Sequence, residues 1–394
     1  MITLIFSASI GIICGLIAGL LPGLHSNNIA IIMVLIPLGE IGNGFEFTVF
    51  MLSMGIVQCF TEFIPSTFLG APDLNSFESV LPAHRLFNKG KAFQVITLTT
   101  FGGLFALFLG TIMSPVFFLL IEENSETIIY ATPFVLVFAL IAMVLTEETR
   151  TKKIIAIFTI ICATTQGFLF QEQIFALITG YFAVPMLLEG VKEKQEKIEQ
   201  KLEGKINFFE NSVDSIKGTI AGSIVALMPG IGSNTAALIV KQFSVIKNSE
   251  GYLTMLGAIS VSNFLFAYAV LFASEKARNG AMIVVGEKIV QTTITFHSGL
   301  AVMLFAGAIG ALLTIIIARV ASKIIDEEKQ RKASKLILGG LFILVGGFLG
   351  INGIIALIFS SALGYFVAHT KVKRSTCMAC LIVPVMLFYL FILF

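Results

Sequence analysis

Hydrophobic residues fill long, uninterrupted runs along this chain, and the polar residues are collected between them. A run of about 20 residues is long enough for a helix to cross a hydrocarbon layer of about 30 Å. Because the runs are continuous rather than alternating, they predict helices and not barrel strands. The pattern predicts an all-α, polytopic protein of the cell membrane. The runs lie near 3–21, 28–38, 47–64, 92–120, 127–145, 153–170 and 174–190, and again near 216–228, 234–244, 252–275, 296–321, 334–350, 352–368 and 375–394.

The composition agrees with this class. The chain of 394 residues is 56% hydrophobic and only 13% charged, which leaves too little polar surface for a soluble domain, so we expect it to lie in the lipid bilayer. Its formal net charge of +2 gives no reason to expect a nucleic-acid partner. The four histidines lack metal-ligand spacing, and no HExxH, Walker or GxSxG motif occurs. The sequence therefore predicts no catalytic residues, no metal centre of that kind and a function other than that of an enzyme.

One motif occurs twice in the chain. It reads GLIAGLLPGLHSNNIA at Gly15–Ala30 and GSIVALMPGIGSNTAA at Gly222–Ala237, and a shift of 207 residues superposes Pro22 on Pro229. In each copy an apolar helix reaches Pro-Gly, where the backbone loses a donor and gains freedom in φ, and small polar residues follow. The apolar run after each motif is about 11 residues long, near 16 Å as a helix, and is too short to span a bilayer. These features predict broken, re-entrant helices with polar tips.

A polar interval divides the chain into two halves. We predict a first transmembrane repeat over 1–190, a polar cytoplasmic linker over 191–215 and a second repeat over 216–394. Lys and Arg in short loops mark the cytoplasmic side of a membrane protein. The basic loop 150–153 corresponds to the uncharged 350–353, so equivalent loops have exchanged sides. The duplication is therefore predicted to be an inverted repeat, with both termini outside the cell.

The two tips carry the candidate substrate site. In inverted-repeat transporters, broken helices meet near the midplane, where helix N-termini and small polar side chains receive an anion. Hydroxyl and amide groups can donate to a carboxylate or offer oxygens to Na⁺, which we place near Asn27 and Asn234. His25, which faces Gly232, is a candidate proton carrier or hydrogen-bonding group. The predicted substrate-binding residues are Pro22, Gly23, His25, Ser26, Asn27, Asn28, Pro229, Gly230, Gly232, Ser233, Asn234 and Thr235.

Polar groups within apolar stretches supply three candidates for the transport pathway. Ionisable residues are costly inside a membrane and therefore mark functional positions. Glu62 lies late in the third apolar run, Asp73 lies in the stretch after it, and Asn263 lies in the related region of the second half. Apart from a coupling Na⁺ or H⁺, the sequence predicts no cofactor.

At these residues the chain resembles the large membrane subunit of tripartite tricarboxylate transporters, the TctA type, and more closely its shorter relatives. Besides the two Pro-Gly motifs, the resemblance is carried by Gly70-Ala71-Pro72 and by LFNKGKAF at Leu86–Phe93. The resemblance implies a permease that moves an organic anion and is driven by an ion gradient. It also implies a small membrane subunit and an external binding protein that supplies the substrate. The tips are also similar to those of divalent-anion/sodium symporters, which implies that they hold carboxylate and Na⁺.

Two other functions compete with anion transport. The chain resembles polyprenyl-phosphate translocases in its duplicated Pro-Gly breaks, and a lipid-phosphate translocase would need a basic group such as Arg85 or Lys276 in a cavity open to lipid. An intramembrane enzyme would need a nucleophile with a base, or a metal cluster. The sequence leaves the substrate open between a small organic anion and a lipid phosphate, and it leaves open whether the chain forms a homo-oligomer.

Overall fold

The computed structural model describes residues 2–21, 44–69, 80–192, 198–227, 248–275, 277, 279–288, 293–325 and 327–393. These ranges contain helices and connections but no β-strand, and nine of their helices are long and apolar enough to cross a membrane. The all-α, polytopic class is therefore confirmed. The helices are α1 Ile2–Leu20, α2 Gly44–Thr61, α3 Phe63–Phe68, α4 Val80–Phe87, α5 Ala92–Leu145, α6 Arg150–Leu169, α7 Ile174–Ile178, a π-turn Thr179–Ala183, α8 Val184–Lys192, α9 Phe208–Ala226, α10 Ser249–Ser274, α11 Gly280–Lys288, α12 Thr293–Ile324, α13 Glu327–Thr370 and α14 Ala379–Leu393.

The described residues form two compact units, and each unit takes helices from both halves of the chain. The first unit contains 2–123, 198–227 and 248–325 within the described ranges, and the second contains 124–192 and 328–393. Each half therefore contributes its earlier helices to the first unit and its later helices to the second. The units are defined by contacts between residues and each mixes helices of both halves, so they do not test the predicted boundaries of the repeats. Those boundaries stay a prediction.

Two helices, α2 and α10, lie at the centre of the first unit. Nearly every side chain of both helices is buried by protein, whereas other helices expose large apolar side chains such as Phe108 and Ile343. An apolar outer surface of this kind suits contact with lipid tails. The two central helices are therefore shielded from lipid, and the polar side chains on them are surrounded by other protein groups.

Glycines bring α1 against α2 and α9 against α10. A Cβ atom added at Gly11 would lie 2.5 Å from the Phe50 carbonyl oxygen, and one added at Gly218 would lie 2.5 Å from the Met255 carbonyl oxygen. Small residues at four-residue spacing let membrane helices approach this closely. Since the shift of 207 residues carries Gly11 onto Gly218, the two helix pairs repeat the same packing. In both pairs the neighbouring helices run parallel.

Equivalent helices of the two halves run antiparallel in the first unit. The ring of Phe264 on α10 packs against Gly55 on α2, while Ser260, earlier on α10, contacts Glu62, which directly follows α2. The order of these contacts along the two helices is reversed, so α2 and α10 point in opposite directions. This geometry agrees with the inverted repeat that the loop charges predict.

The same reversal relates α5 and α12. The guanidinium of Arg319, near the end of α12, lies 5.9 Å from the ring centre of Phe93 at the start of α5. Further along, Phe118 on α5 packs on Phe296 near the start of α12, with ring centres 5.3 Å apart. The two helices are therefore antiparallel over most of their shared length.

The polar linker is held against the corner between α4 and α5. The Gln200 side chain accepts a hydrogen bond from Ala92 N at 3.0 Å and donates one to the Phe87 carbonyl at 3.1 Å. Lys201 N donates to the Gly90 carbonyl at 2.8 Å, where Gly90 has a φ of 73° that favours glycine. Residues 198–207 have no regular structure, and α9 begins at Phe208, within the predicted linker; the ring of Phe208 contacts Phe101 of α5 edge-on, with ring centres 5.9 Å apart.

The second unit is built around α6, the end of α13 and the segments 174–192 and 374–393. The ring of Phe158 on α6 packs on Phe366 of α13, and the ring of Phe170, directly after α6, packs on Phe359, which shows that the two helices run antiparallel. Gly350, at a φ of 61°, interrupts α13 at the end of the predicted run 334–350. A non-helical residue, Asn124, likewise interrupts α5 between the predicted runs 92–120 and 127–145. These four predicted runs are thus helical, and the breaks lie where one run gives way to the next.

Candidate functional site

The predicted substrate-binding residues lie outside the described residues. This holds for both tips, Pro22–Asn28 and Pro229–Thr235, and for Asp73. The predictions of a substrate site, of Na⁺ near the tip asparagines and of re-entrant helices therefore stay predictions. Among the predicted pathway residues, the structure describes Glu62 and Asn263.

Both of these residues lie beside the helices that lead into the tips. Gly19, at the end of α1, packs on Thr61, and a Cβ atom added to it would lie 3.1 Å from Glu62 N. On α9, a Cβ atom added at Gly222 would lie 3.0 Å from Asn263 N. The two pathway candidates therefore flank the described ends of the helices that carry the Pro-Gly motifs.

Glu62 sits at a break between α2 and α3. Its N–H donates to the Gln58 carbonyl at 3.0 Å, which closes the last turn of α2. Three residues later Pro65 lacks an N–H, so it cannot donate to the Thr61 carbonyl four residues before it. The helix is thereby interrupted at the one carboxylate of the span 47–68.

The Glu62 side chain is completely buried and is bonded to the other half of the chain. The Ser260 hydroxyl donates a hydrogen bond to Glu62 Oε1 at 2.6 Å, and the two residues are 198 positions apart. A hydrogen bond to a charged acceptor is stronger than one between neutral groups, so this contact fastens α10 to the helix break. The bond crosses the antiparallel pair α2 and α10 at the centre of the first unit.

Other hydroxyl groups surround the break. Thr61, Ser66 and Thr67 are fully buried, and their hydroxyls donate to backbone carbonyls: Thr61 to Val57 at 3.2 Å, and both others to Phe63. Such bonds satisfy a buried hydroxyl within its own helix. The break is thus a small polar region inside an otherwise apolar core.

Ser260 is the residue of this site that the sequence did not single out. A serine in a membrane helix carries little signal alone, because serine also packs there for steric reasons. Asn263, which the sequence did single out, lies one turn further along α10 and is partly exposed. Only the crossing of the two helices shows that Ser260 belongs with Glu62.

Within the described ranges, no three His, Cys, Asp or Glu side chains are grouped as metal ligands would be. The chemistry available at the helix break is therefore that of one carboxylate and several hydroxyls. Such groups bind a proton or a hydrogen-bonding ligand, and they lie beside the helix that leads into the first tip.

Comparison with known sequences identifies the family. A model of the family described as "Tripartite tricarboxylate transporter TctA family" matches residues 5–379. The chain is also 23% identical over 395 residues to an uncharacterized protein of Methanocaldococcus jannaschii, MJ1079, in a match that covers 97% of this chain and 98% of that protein. No solved structure matches the chain. Since the family model covers nearly the whole sequence, the chain belongs to the TctA family of tripartite tricarboxylate transporters.

Proposed function

We propose that this membrane protein is an ion-coupled permease for a small organic anion, with a carboxylate substrate bound between the two Pro-Gly tips. Its family is that of a transporter subunit, and transport requires a site that both sides of the membrane can reach in turn. The proposal assigns substrate binding to Ser26, Asn27, Ser233, Asn234 and Thr235. Because the family is that of tripartite transporters, we also propose that a small membrane subunit and an external binding protein deliver the substrate.

The depth of the described helix ends supports this proposal most directly. α1 ends just past Gly19, which packs beside Glu62, and Glu62 contacts Ser260. α9 ends at Ala226, one helical turn or about 6 Å beyond Gly222, which packs on Ser262. The described ends of α1 and α9 therefore both lie close to the crossing of α2 and α10. In transporters with inverted repeats, the substrate site usually lies near the midplane, where broken helices meet.

A ligand screen tests this function. We expect citrate or succinate to raise the melting temperature of the purified protein, because a ligand at 100 times its Kd stabilises the folded state by about 2.7 kcal/mol. Inorganic phosphate and undecaprenyl phosphate serve as the comparison ligands. Stabilisation by the lipid phosphate alone would instead support the translocase, for which Arg85 is exposed on α4 and Lys276 lies outside the described residues. No response to either carboxylate would contradict the proposal.

The distribution of charge supports an orientation in the membrane. One end of the first unit carries basic residues from α4, the linker and α12, whereas the other end carries acidic residues, although Glu275 there is followed in the sequence by Lys276 and Arg278. Basic groups favour the cytoplasmic side, so we propose that the start of α1 faces outside; the outside position of the C-terminus, which belongs to the second unit, stays a prediction. The basic residues are Arg85, Lys89, Lys91, Lys201, Arg319 and Lys323, and the acidic ones are Glu46, Glu122, Glu123 and Glu275.

Epitope tags check this orientation. We expect a tag after Glu123 to be accessible in intact cells and a tag within 325–332 to become accessible only after permeabilisation. The reason is that α5 and α12 are antiparallel, so Glu123 lies at the opposite end of the first unit from Ile325. Two tags on the same face would contradict the inverted arrangement. Two tags on opposite faces in the reverse order would contradict only the assignment of the cytoplasmic side.

A further inference from the structure

We propose that Glu62, held by Ser260, binds and releases the proton that drives anion transport. This inference rests on the proposed function and adds to it a coupling ion and the residue that carries it. Three observations support it: the burial of the carboxylate, the charge of its surroundings and the contact that it makes between the two halves.

Burial makes the carboxylate costly to keep charged. Glu62 has no exposed surface, and the Ser260 hydroxyl donates a hydrogen bond to its Oε1 atom. An ionised carboxylate in an apolar interior is stable only when it is paired or strongly hydrogen-bonded, and otherwise takes up a proton. Membrane transporters use carboxylates in this setting as proton carriers.

The helices packed around Glu62 contain no other charged residue in their apolar spans. These spans are 2–20 of α1, 47–68 of α2 and α3, 92–121 of α5, 251–274 of α10 and 298–318 of α12. The thiols and phenols within the spans are Cys14, Cys59, Tyr252 and Tyr268. Charged groups and histidines occur toward the ends of the packed helices, at Glu46, His84, Arg85, Glu122, Glu123, Glu250, Glu287, Lys288, His297, Arg319 and Lys323. A change of charge at Glu62 is therefore not offset by a basic residue within these spans.

The oxygen atoms near Glu62 favour a proton over a metal cation. A hard cation collects several oxygen ligands around itself. Among the described residues, the neighbouring hydroxyls of Thr61, Ser66 and Thr67 donate to backbone carbonyls of their own helices and, for Thr61, also to the Gly15 carbonyl of α1 at 3.4 Å. A proton needs only one carboxylate oxygen, and a nearby hydroxyl can accept a hydrogen bond from the acid as readily as it donates one to the carboxylate.

The contact between Glu62 and Ser260 links proton binding to the arrangement of the two halves. As a carboxylate, Glu62 accepts the hydrogen bond from Ser260 and holds α10 against the helix break. When one of its oxygens takes up a proton, the acid loses its charge, and the hydrogen bond that holds α10 in that position becomes weaker. Gly19 places the end of α1 against the same break. Protonation at this point can therefore change the position of the first tip relative to the second half.

Proteoliposomes containing the full chain test the inference. We expect an inwardly directed pH gradient, acid outside, to drive accumulation of radiolabelled citrate or succinate by the wild-type protein. Glu62→Gln should reduce this accumulation at least tenfold, and its residual exchange of succinate, measured where succinate is fully ionised, should no longer depend on pH. The matched control Glu123→Gln removes an exposed carboxylate and should behave as the wild type. Ser260→Ala should keep pH-driven accumulation but shift the pH at which exchange is half-maximal.

The possible failures are distinguishable. If Glu62→Gln accumulates substrate as the wild type does, or if a Na⁺ gradient drives the wild type and a pH gradient does not, the inference is wrong and anion transport still stands. If Glu62→Gln fails to fold, the pH profiles of Glu62→Asp and Ser260→Ala decide, and two unshifted profiles would overturn the inference. If the wild type exchanges neither carboxylate and neither one raises its melting temperature, the proposed function itself is wrong.

Discussion

Replacing Asn27 or Asn234 with leucine is expected to abolish carboxylate uptake while the protein still inserts and folds. Leucine has nearly the size of asparagine but offers neither a donor nor an acceptor, so the substrate loses hydrogen bonds to its charged oxygens. Each such bond contributes about 1.5–3 kcal/mol, which corresponds to roughly a tenfold to hundredfold loss of affinity. Because the two asparagines superpose in the repeat, we expect both substitutions to have similar effects. Uptake into proteoliposomes and stabilisation by citrate or succinate measure the two consequences separately.

Asn352→Leu is the matched control for these variants. Asn352 lies exposed on α13, in the second unit, and the same change there should leave uptake and melting temperature nearly unaltered. Normal uptake by both tip variants would remove the substrate site from the tips. A loss of uptake accompanied by an equal loss in the control would indicate that leucine disturbs the protein in general.

Gly15→Ala and Gly222→Ala are expected to lower the melting temperature markedly. A Cβ atom at Gly15 would collide with the Met54 carbonyl oxygen, and one at Gly222 would collide with Ser262 and lie 2.9 Å from the Ile259 carbonyl oxygen. Backbone atoms cannot move aside as a flexible side chain can, so each parallel helix pair must separate. Overpacking of this kind costs about 1–3 kcal/mol. Alanine would otherwise stabilise a helix by about 0.5–1 kcal/mol relative to glycine, so the expected change has the opposite sign to the helix propensity.

A thiol-reactive dye suits this measurement, because the chain has no tryptophan and Cys59, Cys377 and Cys380 form no disulfide and are buried in the folded protein. The control is Gly339→Ala, since no atom lies within 4 Å of a Cβ added there. We expect that variant to melt at or slightly above the wild-type temperature. Equal melting of all three variants would show that the close approach of the helix pairs contributes nothing to stability.

The pairing of α2 with α10 gives the proposed transport cycle a physical basis. Transporters of inverted-repeat design change the side to which their site is open by moving one repeat against the other. Here the contact between the repeats includes a buried carboxylate and a hydroxyl, Glu62 and Ser260, which lie beside the helix that leads to the first tip. A single binding event at this contact can therefore bias the movement, as coupling requires.

Much of the fold could be predicted from the chain itself. Apolar runs of about 20 residues indicate helices, since no other open structure satisfies the backbone within lipid. The break of α13 at Gly350 and that of α5 near Asn124 coincide with gaps between predicted runs. The start of α9 at Phe208 was less predictable, because Glu210, Asn211 and Asp214 interrupt the apolar pattern of its first turns. Asn211 is nevertheless buried, and its amide donates to the Thr254 hydroxyl of α10 at 2.9 Å, a contact that the local sequence does not indicate.

The candidate site was predictable only in part. Glu62 and Asn263 were recognised because polar groups are conspicuous among apolar residues, and the structure places both beside the helices that precede the tips. Ser260 was not recognised, because the sequence around a single serine does not distinguish one that only packs from one that binds another group. Its role depends on a contact across 198 residues of sequence, and no local pattern carries that information.

The sequence by itself determined the membrane class and predicts the duplication with its exchange of sides, because hydropathy, Pro-Gly motifs and loop charges are local properties of each segment. The tertiary structure alone decided which helices are central and which groups meet there. The spans of α2 and α10, with mean hydropathies of 1.6 and 1.8, are less apolar than those of α1, α5 and α12 at 2.2, 2.4 and 2.7, and glycines on α1 and α9 let those two helices cover them closely. That packing brings one carboxylate from the first half to one serine of the second.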